Sequence, residues 1–182
     1  MNTLSRLLTE KNLLILTLLG EEELSVREAA ERAHCSPGKV HQAAVLFKRH
    51  GLVKVKKVKN RSVLVVQRQN PLYRKVKALV NVSEMLHSEG YRRLREKALI
   101  GIYGSFAQGT DDKDSDVDLL IVTEKKELEI RDALRMLEKN VKRKISPLKL
   151  SKEKLSSLEQ RDQEFYLRLR LTTLALNGEI FE

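Results

Sequence analysis

The chain has no tryptophan, one cysteine, three prolines, and only four tyrosines and four phenylalanines in 182 residues. Each scarcity removes a class of protein. A lone cysteine, Cys35, excludes an internal disulfide framework and fits a reducing compartment. His34, His41, His50 and His87 stand in no paired Cys/His spacing around it, so a zinc site is not expected. So few rings mean that the 41% hydrophobic content must build aliphatic cores. The apolar run Leu13 to Leu19 falls short of a membrane span. It lies between Glu10 and Glu21-Glu22-Glu23 with no small-residue cleavage site after it, so it does not read as a leader either. A soluble, cytoplasmic protein without membrane contact is expected. One sign of charge is also missing over a long stretch: Arg32 to Ser83 holds 13 cations and no carboxylate.

The net charge of +10 is correspondingly lopsided, +8 over residues 1–90 and +2 over 91–182. A one-sign block either repels itself into disorder or faces a polyanion. Regular apolar spacing through the block argues for folded structure and a polyanionic partner. Leu4, Leu7, Leu8, Leu14, Ile15, Leu18 and Leu19 predict one amphipathic helix stopped at Gly20. Ser25-Val-Arg-Glu28 fits a capping box for a second, burying Val26, Ala29, Ala30 and Ala33. Ser36-Pro37 is an N-cap followed by proline at the first helical position of a third, with Val40, Ala44 and Phe47 inward, ending at Gly51. Leu52 to Lys57 and Ser62 to Gln67 alternate as two strands around Lys59-Asn60.

That order is a winged helix-turn-helix. It resembles winged-helix transcription regulators in pattern, with no residue-specific motif. Double-stranded DNA is the expected partner. A helix fits the B-DNA major groove and reads base edges from its N-terminal residues; the outward face of the third carries Lys39, Gln42, Lys48 and Arg49, with Ser36, Lys39 and Gln42 expected at base edges. Lys54, Lys56, Lys57, Lys59 and Arg61 would set the wing along phosphates.

The second half is organised around Gly104 to Val122. An apolar run, Ala98 to Tyr103, leads into Gly104-Ser105, and Asp116-Val-Asp118 leads into Leu119 to Val122. This reads as strand, glycine turn, short helix, loop, strand. Side chains alternate along a strand, so Asp116 and Asp118 are expected on one face about 7 Å apart, close enough to share a divalent metal. A Gly-Ser turn offers backbone amides and a hydroxyl to phosphate. A calcium loop fits worse: Asp112, Asp114 and Asp116 imitate its start, but Val117 and Thr123 stand at the glycine and glutamate positions. Asp111, Asp112 and Asp114 read as solvated loop residues.

Gly-Ser, a ten-residue spacer (Phe106 to Ser115) and Asp-x-Asp resemble the polymerase-β-type nucleotidyltransferase superfamily. The resemblance is closest to the minimal archaeal and bacterial members, including those that act as antitoxins, and covers roughly 92–182. It implies that Gly104 and Ser105 hold a nucleoside triphosphate, ATP being the expected one, and that Asp116 and Asp118 hold Mg²⁺ or Mn²⁺ and serve catalysis. It also implies a third carboxylate on a later strand, to complete the metal site and take the acceptor proton. That position falls on Ser146. From Glu138 to Glu153 the chain offers six cations and no acid in between, so nucleotide binding is expected while turnover is open. Pro147 marks that strand as an edge. A helix over about 126–140 precedes it, and one over Gln163 to Asn177, stopped at Gly178, ends the pattern.

The whole reads as α+β: a winged helix-turn-helix over 1–70, a linker or dimerisation helix over 71–90 closed by Gly90, and a nucleotidyltransferase-fold mixed sheet flanked by helices over 91–182. The linker stripe, Leu72, Val76, Leu79, Val80, Met85 and Leu86, suits a homodimer. The function expected is a DNA-binding transcriptional regulator whose second domain binds Mg-NTP and transfers a nucleoside monophosphate to a hydroxyl acceptor if it is active. An antitoxin-type transferase acting on a separate helical toxin-type protein is the alternative.

Overall fold

A computed structural model describes residues 3–181, with side chains from Ser5 onward, so Leu4 of the expected first stripe lies outside the described side chains. The chain divides into two compact units between Lys77 and Ala78.

The first unit is a winged helix-turn-helix. The expected single N-terminal helix is two, α1 (Thr3–Leu7) and α2 (Glu10–Glu21). Thr9 divides them, because its hydroxyl caps α2 by accepting the Asn12 N–H, an interaction a helix interior would forbid. Gly20 does not stop α2. It is helical, and a Cβ there would collide with the Tyr73 hydroxyl. Next comes α3 (Val26–Arg32), whose Ser25/Glu28 capping box forms as expected. His34 at φ 47 turns the chain into α4 (Pro37–Arg49). Ala43, rather than Ala44, lies fully inside with Val40 and Phe47. Gly51 (φ 66) follows α4 and opens the hairpin β1 (Val53–Val58) and β2 (Arg61–Val66), which turns at Lys59 (φ 52). Ile15, Ala29, Val40, Phe47 and Leu52 centre the core. Burying a side chain the size of Phe47 is worth about 1.5–3 kcal/mol.

The unit boundary falls inside α5 (Pro71–His87). Ser88 then caps α6 (Glu89–Leu94), so Gly90 is a helical residue and not a stop. Its N–H donates to Asn140 Oδ1 at 3.0 Å, and a Cβ would strike the Leu137 backbone. Glycine here permits close helix packing.

The second unit is a mixed four-stranded sheet in the order β5-β4-β3-β6. β3 (Leu99–Tyr103) runs antiparallel to β4 (Val117–Val122), and β4 runs parallel to β5 (Ile145–Leu150) through the crossover helix α8 (Glu127–Val141). β5 is an edge strand, as Pro147 requires. The expected last helix ends early: α10 (Gln163–Thr172) gives way to β6 (Leu174–Asn177), paired with the other side of β3. Two β-branched threonines end the helix, and β6 satisfies backbone groups that β3 would otherwise expose. One face of the sheet packs Ile100, Ile102, Leu119 and Ile121 with Leu94, Ile130 and Leu137. The other packs Leu120 and Val122 with Leu155 of α9 (Lys152–Arg161) and Tyr166 of α10. Among the described residues no helix is long and apolar enough to cross a membrane.

Candidate functional site

β3 ends at Tyr103, and Gly104 (φ 67) turns the chain into the five-residue helix α7 (Gly104–Gln108). Antiparallel register sets Tyr103 opposite Asp118, the second residue of β4. The Asp118 carboxylate therefore lies against the Gly104 backbone, and a Cβ on Gly104 would collide with Asp118 Oδ2. Two demands select glycine: a left-handed φ and no side chain where the carboxylate rests. Ser105 follows, half-buried, at the start of the same turn.

Asp116 stands one residue before β4, not within it. It is still close enough to act on Asp118, whose carboxyl is held above the usual carboxylate range by burial first and the Asp116 charge second. Tyr103 is also raised, by burial and then by the Asp118 charge, against a lowering contribution from Arg168. Gly104, Ser105, Asp116 and Asp118 thus occupy one corner at the end of β3 and the start of β4. Ser146 on β5 is in register with Asp118. Among the described residues no group of three or more acidic, histidine or cysteine side chains could hold a metal. The pair nonetheless has the chemistry to hold a hard divalent cation: two carboxylates, one of them raised by burial and then by its neighbour's charge, with a cation already on the other. That cation is Lys144, whose Nζ lies 3.2 Å from Asp116 Oδ2.

The loop between Gly109 and Asp116 corrects one expectation. Asp111 is not solvated: it is 2% exposed, accepts from Asn81 Nδ2 at 3.0 Å, and pairs with Arg143 Nη2 at 3.2 Å. Arg143 also donates to the carbonyls of Asp112 and Ser115 and lies over the Phe106 ring. Asn81 donates further to the Phe106 carbonyl at 2.9 Å. Asp112 and Ser115 close the tip through mutual hydrogen bonds. This clamp fixes the path into Asp116. Asn81, Asp111 and Arg143 carry no local sequence signal for the role, because the three are brought together only by tertiary structure.

In the first unit the outward face of α4 carries Gln42, Lys48 and Arg49, all exposed, together with His41 and the 57% exposed Val45, which the sequence did not single out. Lys39 is half-buried, and the Ser36 hydroxyl caps the helix by accepting the Lys39 N–H at 3.2 Å. The wing cations differ from one another. Arg61 pairs with Glu28 at 2.6 Å and Lys56 with Glu23 at 3.5 Å. Lys54, Lys57 and Lys59 are exposed, and among the described residues they make no ion pair.

Residues 85–169 match the family model described as Nucleotidyltransferase domain. Solved structures similar to this chain include reduced HlyU from Vibrio cholerae N16961, 27% identical over 46% of this chain and 83% of that one, with a TM-score of 0.38. HlyU from the same organism is also 27% identical, over 46% and 86%, with a TM-score of 0.37. No curated protein matches the chain.

Proposed function

We infer that the chain is a DNA-binding regulator whose second unit holds a nucleoside triphosphate, ATP in the first instance, together with Mg²⁺ or Mn²⁺. The observation that carries the nucleotide reading is the Asp118 carboxylate seated on the positive-φ backbone of Gly104, with Asp116 beside it. The nucleotidyltransferase match over 85–169 supports it. In this reading Ser105 and the amides of the Gly104 turn would bind the β- and γ-phosphates, and Asp116 and Asp118 would hold the metal. The bound cation would supply neutralisation of the triphosphate and polarisation of the phosphoryl group under attack. Lacking a third acid at Ser146, the site has a weak means of taking an acceptor proton, so binding outruns transfer of the nucleoside monophosphate. The α4 face and the wing supply the DNA reading. Leu79 and Leu86, exposed seven residues apart on α5, suit pairing with a second copy of the helix.

The test is Mg²⁺-dependent binding of ATP by the full-length chain, measured by calorimetry, with α-labelled ATP to follow transfer. Asp116→Ala/Asp118→Ala should lower affinity at least tenfold, with labelling slow or absent in both proteins. Equal affinity in wild type and the double variant would remove the nucleotide reading.

A further inference from the structure

The residue just before the strand that lacks the third acid brings a cation to the site, and its backbone is fixed where it does so. Lys142 (φ 53) ends α8 in a left-handed turn. Arg143 is held by Asp111 and by the carbonyls of the acidic loop. The Lys144 carbonyl accepts the Val117 N–H at 2.9 Å, and the Ile145 N–H donates to Glu138 Oε1 at 3.0 Å. Lys144 therefore sits one residue before β5, beside the residue that leads into β4, with its carbonyl and the following N–H both tied. Its ammonium needs only its own side-chain length to reach Asp116 Oδ2 at 3.2 Å. Two residues further along, Asp118 pairs in register with Ser146. The chain entering β5 thus sets an ammonium on Asp116 and a serine in register with Asp118.

The charge balance follows. Two carboxylates and an ammonium leave about one negative charge facing an incoming cation, where two carboxylates alone would leave two. We propose that Lys144 is the resident counter-cation of Asp116, and that a divalent metal gains that carboxylate only by displacing it. Metal alone then binds weakly. It binds well together with a polyphosphate, which brings its own negative charge and offers the displaced ammonium a new partner. This rests on the reading above, in which Asp116 and Asp118 hold the metal.

The experiment uses the full-length chain and Mn²⁺ alone, with free Mn²⁺ counted by electron paramagnetic resonance at low salt. Lys144→Met should bind Mn²⁺ about two- to fivefold more tightly than wild type, the range an exposed ion pair supplies. The gain should be absent when Asp116→Asn is added. With a non-hydrolysable ATP analogue present, the advantage of Lys144→Met should vanish or reverse. Lys144→Gln, of similar reach and no charge, should repeat the result, which separates lost charge from altered packing. If wild type binds Mn²⁺ and neither Lys144 variant binds it more tightly, the inference is overturned and the metal reading stands. If wild type and both variants bind no Mn²⁺ with or without the analogue, both fall.

Discussion

At the scale of single residues, Asp118 and Asp111 solve opposite problems. Asp118 is raised by burial and by Asp116. Its folded-state pKa therefore lies above its unfolded one, so the stability it contributes is complete below the ordinary carboxylate range and is lost as pH rises through the folded value. At neutral pH the ionised group is a cost. Solvent screens a half-exposed pair, which keeps that cost under about 1 kcal/mol. Asp118→Asn should therefore melt a few degrees above wild type at pH 7, with the two curves converging as pH falls toward 3.8, the ordinary Asp value. Thermal melts across that range would check it, and a pH-independent difference would refute the assignment. Asp111 sits in a different setting: fully buried at its side chain, with Arg143 only 18% exposed beside it. Arg143→Met removes the charge partner of a buried carboxylate, which should cost about 3 kcal/mol in chemical denaturation. Adding Asp111→Asn removes the carboxylate charge that Arg143 had balanced and should restore most of that loss. A single variant within about 0.5 kcal/mol of wild type would show that the pair does not hold the loop.

At the scale of elements, caps and turns were legible and register was not. Ser25-Val-Arg-Glu28 and Ser36-Pro37 state their helix starts locally, because each satisfies orphan backbone donors with its own side chain. Pro147 likewise marks an edge strand in sequence and in structure. Thr9 is hidden inside an apolar stripe that continues past it, since periodicity counts the leucines and ignores a hydroxyl that breaks the ladder. Gly90 has the pattern of a stop and is a packing position, because nothing local reveals that α8 passes against it. Leu174 to Asn177 extend a helical stripe in pattern, yet the open edge of β3 is the stronger claim on that segment. The same reason makes the corner at Gly104 and Asp118 half-legible. Gly104, Ser105, Asp116 and Asp118 lie within a single strand-turn-strand unit and can be read in order. Lys144 reaches Asp116 from the residue before β5, and Asn81 of α5 and Arg143 hold the loop that leads into it, across separations that no spacing rule spans.

Across the whole molecule, charge rather than shape separates the two halves of the proposed function. Of the +10 total, +8 lies in residues 1–90, but not all of it is available to a polyanion. Lys56 and Arg61 already face Glu23 and Glu28, so a phosphate must compete with a carboxylate for each. Lys54, Lys57 and Lys59 meet no such competition among the described residues, and Lys48 and Arg49 extend the exposed cationic surface along α4. Counterion release makes the slope of log affinity against log salt fall by about 0.9 for each phosphate that the protein ceases to neutralise. Changing Lys54, Lys57 and Lys59 together to glutamine should therefore flatten the slope for a duplex by about two to three and weaken binding at low salt by at least tenfold. Lys56→Gln and Arg61→Gln together should change it by less than one, since each removes a cation that Glu23 or Glu28 had already partly neutralised. Fluorescence anisotropy of a labelled duplex over 50–200 mM salt would resolve the two sets. Equal slopes from both would show that the carboxylate partners do not mask the wing, and an unchanged slope in the triple variant would take the wing off the DNA. The Asp116→Ala/Asp118→Ala chain provides the internal control: those acids lie in the half that carries +2, and its duplex slope should match that of wild type.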